Sequence, residues 1–399
     1  MSLESSSESM NQRATPQQRP LQRLPQLEVL RVAAMTWIFL FHLWSVVPLE
    51  ANGGTFGLVL MGVLHSGHLG VVVFNIITGF VLALPHLGPA RRPALTYGDF
   101  LRRRFLRICP QYYLALLLWT TIMLLTTHEP SGTVVRSFVA HAFFVQTMHP
   151  ATLFGIVPAY WWLGLLVQFY LLFPLVLRLF QRLGPKRSSL LLCGICWIGW
   201  GLLARLAVLR PGSSWEMVHY MWYFNLPARL PEFALGMWLA AAWNPGAPPI
   251  STPVPALPRR VPLESSFAAY VLGMFLCVIV VGRLFPLIAI PLLPIYQLAW
   301  CFVGTVALYM WPPVARLGSS RIITSVAALS YSIYLVHQPL LGGAAGWLEG
   351  KVSLPTAFGL LLVVVGAASC GLAWVLDWLA ARVLSAAEER PREQTAKRQ

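Results

Sequence analysis

Charged residues are scarce in this chain. Asp, Glu, Lys and Arg make up 11% of its 399 residues, whereas an ordinary soluble domain has about 25%. So few charges cannot cover the surface of a compact water-soluble body of this size, which excludes a soluble globular domain. Apolar residues make up 57% of the chain, and this excludes an intrinsically disordered protein, because disordered chains are poor in apolar residues.

Cysteine is also rare. The six cysteines lie within or at the edge of apolar segments, so they read as small buried side chains and not as a disulfide framework. They are Cys109, Cys193, Cys196, Cys277, Cys301 and Cys370. Cys193 and Cys196 form a single CxxC with no second pair and no nearby histidine, so no metal site is predicted there.

Long apolar runs are what the chain does contain. Ten runs of about 17 to 25 residues are each long enough to cross a bilayer as a helix. They are residues 29–47, 69–86, 111–127, 160–180, 189–209, 226–243, 267–284, 287–310, 322–346 and 355–380. Backbone polar groups in hydrocarbon must be bonded within their own segment, so the predicted fold is an all-α, polytopic transmembrane bundle. The stretch 134–148, interrupted by Arg136 and His141, is predicted to be a short interfacial or re-entrant helix.

Basic residues are distributed by side of the membrane. Of the 29 Lys and Arg residues, 23 fall on the side of the N-terminus and six on the other. This asymmetry predicts an even number of spans, both termini in the cytoplasm and a multi-pass protein of the cell membrane. The net charge of +15 therefore reports topology and predicts no nucleic-acid partner. The predominance of arginine over lysine is typical of a GC-rich, bacterial gene.

The chain divides into three predicted parts. Residues 1–26 are rich in Ser, Gln, Pro and Arg and are expected to be a disordered cytoplasmic tail. Residues 27–382 form the transmembrane domain, interrupted at 244–262 by a proline-rich cytoplasmic linker. Residues 383–399 form a basic cytoplasmic tail.

The first span carries two ionisable residues on one helix face. Arg31 and His42 are eleven positions apart, close to three turns, so they lie about 16 Å apart along the axis. Arg31 at the cytoplasmic boundary is placed to bind a phosphate, and His42, deeper in the span, is placed to take a proton from a hydroxyl. Alternatively, Arg31 only marks the cytoplasmic end of the span, and His42 pairs with a neighbouring helix.

Four arginines precede the third predicted span. Arg102 and Arg103 show the pattern of a cytoplasmic helix end. Arg104 and Arg107 are three positions apart, so both guanidinium groups lie on one face of a helix. This pair predicts a clamp for the phosphates of a nucleotide-like cofactor that enters from the cytoplasm.

Other spans also contain polar residues. Arg229 and Glu232 stand three apart in the sixth span, where mutual neutralisation is expected; a role for Glu232 in orienting a catalytic histidine is the alternative. Candidate residues in the fourth and ninth spans are Gln168, Tyr170, Tyr334 and His337. Several helices thus direct polar groups toward a common interior, as expected of an enzyme and equally of a transporter.

In chain order, these residues stand in six blocks that resemble the membrane acyltransferase type 3 family. The blocks, within residues 27–346, are Glu28-x-x-Arg31 with His42, the segment ending Thr78-Gly79-Phe80, Arg104-x-x-Arg107, Gln168-Phe169-Tyr170 with Pro174, Arg229-Leu230-Pro231-Glu232-Phe233 with Gly236, and Ser330 to Pro339. The resemblance implies an integral-membrane enzyme that moves an acyl group, often acetyl from acetyl-CoA, to a hydroxyl of a carbohydrate or glycosylated acceptor.

The resemblance also implies a role for each candidate residue. Acyl-CoA would be a co-substrate, with no permanently bound cofactor and no metal, and Arg31, Arg104 and Arg107 would hold its phosphates. His42 would be the general base, and Glu232 would assist it. The residues expected to bind or orient the acceptor are Tyr334, His337, Gln168 and Tyr170.

Two departures from the family pattern keep other classes open. Leu166 and Val167 stand where many members carry glutamates, and Val72 stands where many carry an aspartate. They leave a non-catalytic membrane scaffold as one alternative; the other is a transporter of a small polar or glycosylated molecule, whose pathway the same polar residues would line. The arginine pair at the cytoplasmic rim and the spacing of Arg31 to His42 in the first span favour the enzyme over the transporter.

Overall fold

All regular structure in the described part of the protein is helical, which confirms the all-α class. The structure is a computed structural model and describes residues 24–49, 54–88, 96–210, 214–243, 298, 301–306 and 312–396. The helices are α1 (Pro25–Val46), α2 (Gly54–His65), α3 (Gly70–Leu87), α4 (Tyr97–Thr126), α5 (Ser131–Ala142), α6 (Pro150–Leu153), α7 (Trp161–Leu183), α8 (Pro185–Leu209), α9 (Ser214–Tyr223), α10 (Leu226–Ala242), α11 (Pro312–Gly318), α12 (Arg321–Leu348) and α13 (Leu354–Ala396). Short 3₁₀ turns occupy Ser66–Leu69, Gln146–Met148 and Pro158–Tyr160.

Six helical segments within these residues are long and apolar enough to cross a membrane. They are Pro25–Val46, Leu60–Leu87, Tyr97–Thr126, Pro158–Leu183, Pro185–Leu209 and Leu354–Ala386. Each matches a predicted span. The predicted spans 226–243 and 322–346 coincide with α10 and α12, which are 17 and 28 residues long. The predictions for 267–284 and for the linker 244–262 lie outside the described residues, as does most of 287–310.

Helix α4 begins well before the predicted third span. The Thr96 side chain accepts a hydrogen bond from the backbone N–H of Asp99, which caps the helix, and Asp99 places a negative charge in the first turn. Pro110 lies inside α4 and does not end it. Arg104 and Arg107 therefore belong to the first turns of a continuous 30-residue helix.

Helices α1 and α12 run parallel and side by side. Gly318, just before α12, lies so close to Pro25 at the start of α1 that a Cβ atom there would overlap the Pro25 backbone. Farther along, Pro339 lacks the N–H that would bond the carbonyl of Leu335. That carbonyl instead accepts hydrogen bonds from Trp119 Nε1 (3.1 Å) and the Tyr160 hydroxyl (2.8 Å), which ties α12 to the neighbouring helices.

The backbones of helices α3 and α10 are in direct contact where the two helices cross. A Cβ atom on Gly79 would overlap the Phe233 carbonyl oxygen, and one on Gly236 would overlap the Ile76 carbonyl oxygen. Glycine is required at both places because only a hydrogen atom fits between the two backbones. The crossing brings the polar residues of α3 and α10 together in the protein interior.

Candidate active site

A cavity of about 220 Å³ lies between α1, α3, α4, α7, α12 and α13. Its wall includes all three arginines that the sequence predicts for donor binding, namely Arg31, Arg104 and Arg107. Arg31 lies on α1, whereas Arg104 and Arg107 lie on α4. Residue spacing predicts which side chains share a face of one helix, but it does not predict that these two helices meet at one cavity. Tyr170 and Tyr334 also line this cavity.

The basic end of the cavity contains polar atoms that have no hydrogen-bond partner in the described structure. Arg31 is paired with Glu28 at 3.3 Å. Arg104 Nε and, one turn beyond Arg107, Gln111 Oε1 are buried without a hydrogen-bond partner in the described structure. Three guanidinium groups with one such free donor form an anion-binding surface, since buried donors require acceptors.

The inner wall of the cavity is aromatic. The Tyr334 and Trp162 rings meet edge to face with centroids 5.2 Å apart, and both line the cavity. The Tyr334 hydroxyl donates to the carbonyl of Ala159, so this tyrosine is held in place by the backbone. Behind it, the Tyr334 and His337 ring centroids are 5.7 Å apart.

His42 and His337 form a hydrogen-bonded pair. His42 Nδ1 lies 2.8 Å from His337 Nε2; His337 is fully buried, whereas His42 is partly exposed. The residues are 295 positions apart and meet because α1 and α12 pack side by side. This contact is the one expected if His42 pairs with a neighbouring helix. It also brings together two residues that the sequence predicts for the site.

The hydrogen bonds assign the protons of the neutral pair. His337 Nδ1 lies 3.0 Å from the carbonyl oxygen of Tyr334 and 3.2 Å from that of Ile333. A carbonyl only accepts, so His337 Nδ1 carries the hydrogen and its Nε2 accepts from His42 Nδ1–H. The Nε2 of His42 is then left unprotonated, and it has no hydrogen-bond partner among the described residues. This is the protonation state that a general base requires.

Glu232 belongs to a separate buried network. It forms an ion pair with Arg229 at 2.8 Å, which confirms the predicted mutual neutralisation. Its other oxygen accepts from Asn75 Nδ2 at 2.6 Å, and Asn75 Oδ1 accepts from Trp162 Nε1 at 2.7 Å. Glu232 is therefore connected to the cavity wall through its hydrogen bond to Asn75 and that of Asn75 to Trp162. Neither His42 nor His337 forms a hydrogen bond with Glu232 in the described structure.

Gln168 lies outside the cavity wall. Its amide nitrogen donates to Thr147 Oγ1 (3.0 Å) and Asn225 Oδ1 (2.7 Å). Its amide oxygen accepts from the backbone N–H of Leu226 at 3.0 Å. These bonds occupy both the nitrogen and the oxygen of the amide, and they join α7 to Thr147 and to the start of α10. In the described structure Gln168 therefore stabilises helix packing and does not line the cavity.

Several residues of the site are absent from the sequence-based prediction. They are Asn75, Gln111, Trp162, Ser332 and Asp377. For Asp377 a signal exists: it is an acidic residue within an apolar run long enough to span a membrane, and such residues are functional candidates. Across the described ranges, no group of three or more His, Cys, Asp or Glu side chains is placed to hold a metal ion.

Together, these features define a multi-pass membrane protein with a cavity that is basic at one end. A histidine pair with one free nitrogen lies outside the cavity wall, in contact with Tyr334 of that wall. A sequence model of a family described as "Acyltransferase domain" matches residues 24–378. The chain belongs to this membrane acyltransferase type 3 family.

Two named relatives share low sequence identity with the chain. The chain is 26% identical over 334 residues to the O-acetyltransferase OatA of Staphylococcus aureus, covering 80% of this chain and 50% of OatA. It is 24% identical over 378 residues to the acyltransferase MdmB of Streptomyces mycarofaciens, covering 88% of this chain and 89% of MdmB. The chain thus spans about half the length of OatA. No solved structure matches it.

Proposed function

We propose that this membrane O-acyltransferase moves an acetyl group from acetyl-CoA to a hydroxyl of a carbohydrate or glycosylated acceptor. The relative OatA is an O-acetyltransferase, which supports acetyl as the group and oxygen as the accepting atom. The three arginines of the cavity support a donor that carries phosphates, because guanidinium groups bind phosphate oxygens in pairs. We also propose ten spans with both termini cytoplasmic, which places the arginine end toward the cytoplasmic pool of acyl-CoA.

His42 is the general base of the proposed reaction. The acceptor oxygen attacks the carbonyl carbon of the thioester while its proton passes to His42 Nε2. A C–O bond forms and the C–S bond breaks. The departing thiolate of CoA then takes the proton from His42, which returns the pair to its starting state. Transfer is direct, since the ring of the proposed base His42 is hydrogen bonded to His337 and to no hydroxyl or thiol among the described residues.

The observation that carries this proposal is the hydrogen bond from His42 Nδ1 to His337 Nε2. It gives His42 one tautomer and one orientation, as a general base requires. A transport pathway does not require such a tautomer. The donor side and the base are adjacent, because Tyr334 lines the cavity and packs on His337.

Transfer of radiolabelled acetyl-CoA tests the proposal. Membranes with the wild type or with His42→Ala are incubated with the label, and glycans and small glycosides are then extracted. We expect label in an extractable acceptor with the wild type alone, although both proteins insert in the membrane. Label in neither sample, with both proteins present, would contradict acetyl-CoA as the donor.

Arginine substitutions test the donor site separately. Arg104→Gln and Arg107→Gln should each raise the KM for acetyl-CoA by about tenfold or more, because each removes a charge-assisted contact. Arg182→Gln is the matched control, since Arg182 is exposed at the end of α7 and lies outside the cavity wall. Equal KM values in all three variants would contradict donor binding at this cavity.

A further inference from the structure

Asp377 places a carboxylate in the wall of the arginine-lined cavity. It comes from α13 and is half-buried. Its Oδ1 accepts a hydrogen bond from the Ser332 hydroxyl. Its Oδ2 has no hydrogen-bond partner among the described residues, and no ion pair joins Asp377 to any of the three arginines. The carboxylate thus keeps one oxygen available to accept a hydrogen bond from a ligand in the cavity.

The Ser332–Asp377 pair lies partway between the arginines and the histidine pair. Helices α1 and α12 run parallel, and His42 is level with His337 because the two are hydrogen bonded. Arg31 is eleven residues before His42, or about 16 Å along the axis, and Ser332 is five residues before His337, or about 7.5 Å. Ser332, and with it the Asp377 carboxylate, is thus about midway between the two ends of the site.

The charge of Asp377 restricts what it binds. A carboxylate repels phosphate and accepts hydrogen bonds only, so its partner must be a neutral or cationic donor group. In acyl-CoA the phosphates are followed by the pantetheine arm, which carries amide N–H groups before it reaches the sulfur. An amide N–H is the donor that this molecule presents between its phosphates and its thioester.

We infer that Asp377, oriented by Ser332, binds an amide N–H of the pantetheine arm of the acyl donor. This inference rests on the proposed acyl-CoA donor and assigns a second recognition element to the same site. The arginines hold the phosphates at one end, and Asp377 fixes the arm at its middle. The thioester is thereby positioned at the level of Tyr334 and the histidine pair.

Binding of CoA analogues to the purified full-length protein tests the inference. The probes are CoA and two analogues, in each of which one arm amide N–H is replaced by an ester oxygen. We expect wild-type protein to bind one analogue about tenfold more weakly than CoA, because a hydrogen bond to a charged acceptor is lost. Asp377→Ala should bind CoA and that analogue equally, and Ser332→Ala should reduce the discrimination.

Controls separate recognition from folding. Glu349→Gln, which changes an exposed carboxyl at the end of α12, should discriminate as the wild type does. If Asp377→Ala does not fold, Asp377→Asn replaces it and should show weaker discrimination. A purely structural Asp377 would change the affinity for CoA and for both analogues by the same factor.

Each result is decisive. Wild-type protein that binds CoA and both analogues equally, or an Asp377→Ala variant that still discriminates, would overturn the role of Asp377 while leaving the proposed donor intact. Failure of the wild type to bind CoA at all would overturn the proposed donor, and the inference with it.

Discussion

Replacing His337 should slow acyl transfer by acting through His42. His337→Phe keeps a ring in a fully buried position but removes the acceptor that lies 2.8 Å from His42 Nδ1. Leaving a buried N–H without a partner costs about 1–3 kcal/mol. If His42 recovers its reactive orientation only at that cost, kcat falls roughly fivefold to 150-fold. His42→Ala removes the base itself and should lower kcat by about 10²- to 10⁴-fold.

A double-mutant cycle separates a positioning role from an independent one. The assay is the initial rate of label transfer from acetyl-CoA to the acceptor extracted from wild-type membranes. His337→Gln retains an acceptor oxygen and should be faster than His337→Phe. The double variant His42→Ala/His337→Phe should be no slower than His42→Ala alone, because His337 acts only through His42.

Two results would refute this account. One is a His337→Phe enzyme with the wild-type kcat. The other is a double variant whose loss equals the product of the two single losses, because that requires His337 to act independently of His42. His128→Ala is the matched control, since His128 is exposed and lies in the loop between α4 and α5; it should leave the rate unchanged.

Three further outcomes are expected. Gly236→Ala should lower the melting temperature of the detergent-solubilised protein, because its methyl group would overlap the Ile76 carbonyl oxygen at a cost of about 1–3 kcal/mol; Gly342→Ala, with open space around it, should not. Breaking the buried ion pair with Glu232→Gln should cost about 3–5 kcal/mol, measured in the same assay, and a melting temperature equal to wild type would contradict the pairing. Burial lowers the pKa of His141 to about 4 from the ordinary value of 6.5. Between pH 7 and pH 5 the unfolded state therefore takes up a proton at His141 that the folded state does not. Stability should therefore drop by about 2 kcal/mol between pH 7 and pH 5 on this account, and His141→Gln should show a smaller drop; an identical drop in both proteins would contradict it.

Local spacing was sufficient to predict much of the site. The separation of Arg31 from His42 and that of Arg104 from Arg107 define helix faces, and the structure places all three arginines on one cavity. The ion pair of Arg229 and Glu232 follows from the same spacing. In each case, the relevant partners lie within one helix, where 3.6 residues per turn determines which side chains share a face.

Contacts between distant helices cannot be predicted from such spacing. The pairing of His42 with His337 depends on how α1 packs against α12, and nothing in either segment specifies that neighbour. The family resemblance predicts Gln168 near the acceptor, but its amide is hydrogen bonded to Thr147 and to the start of α10, two segments that the sequence around Gln168 does not specify. Asp377 lies in a span whose dominant feature is its apolar length, and its contact with Ser332 depends on how α13 packs against α12, although an acid in such a span is itself a signal.

The backbone contact of α3 with α10 limits how the proposed acyl-CoA donor could enter. With only hydrogen atoms of Gly79 and Gly236 between the two backbones, these helices have no compressible layer of side chains and move as one rigid body. This body carries the Asn75–Glu232 network and, through Asn75, anchors Trp162. An opening that admits the proposed donor would therefore displace the opposite walls, formed by α4, α12 and α13, and the hydrogen bond from Trp119 to the Leu335 carbonyl would have to break if α4 and α12 separated there.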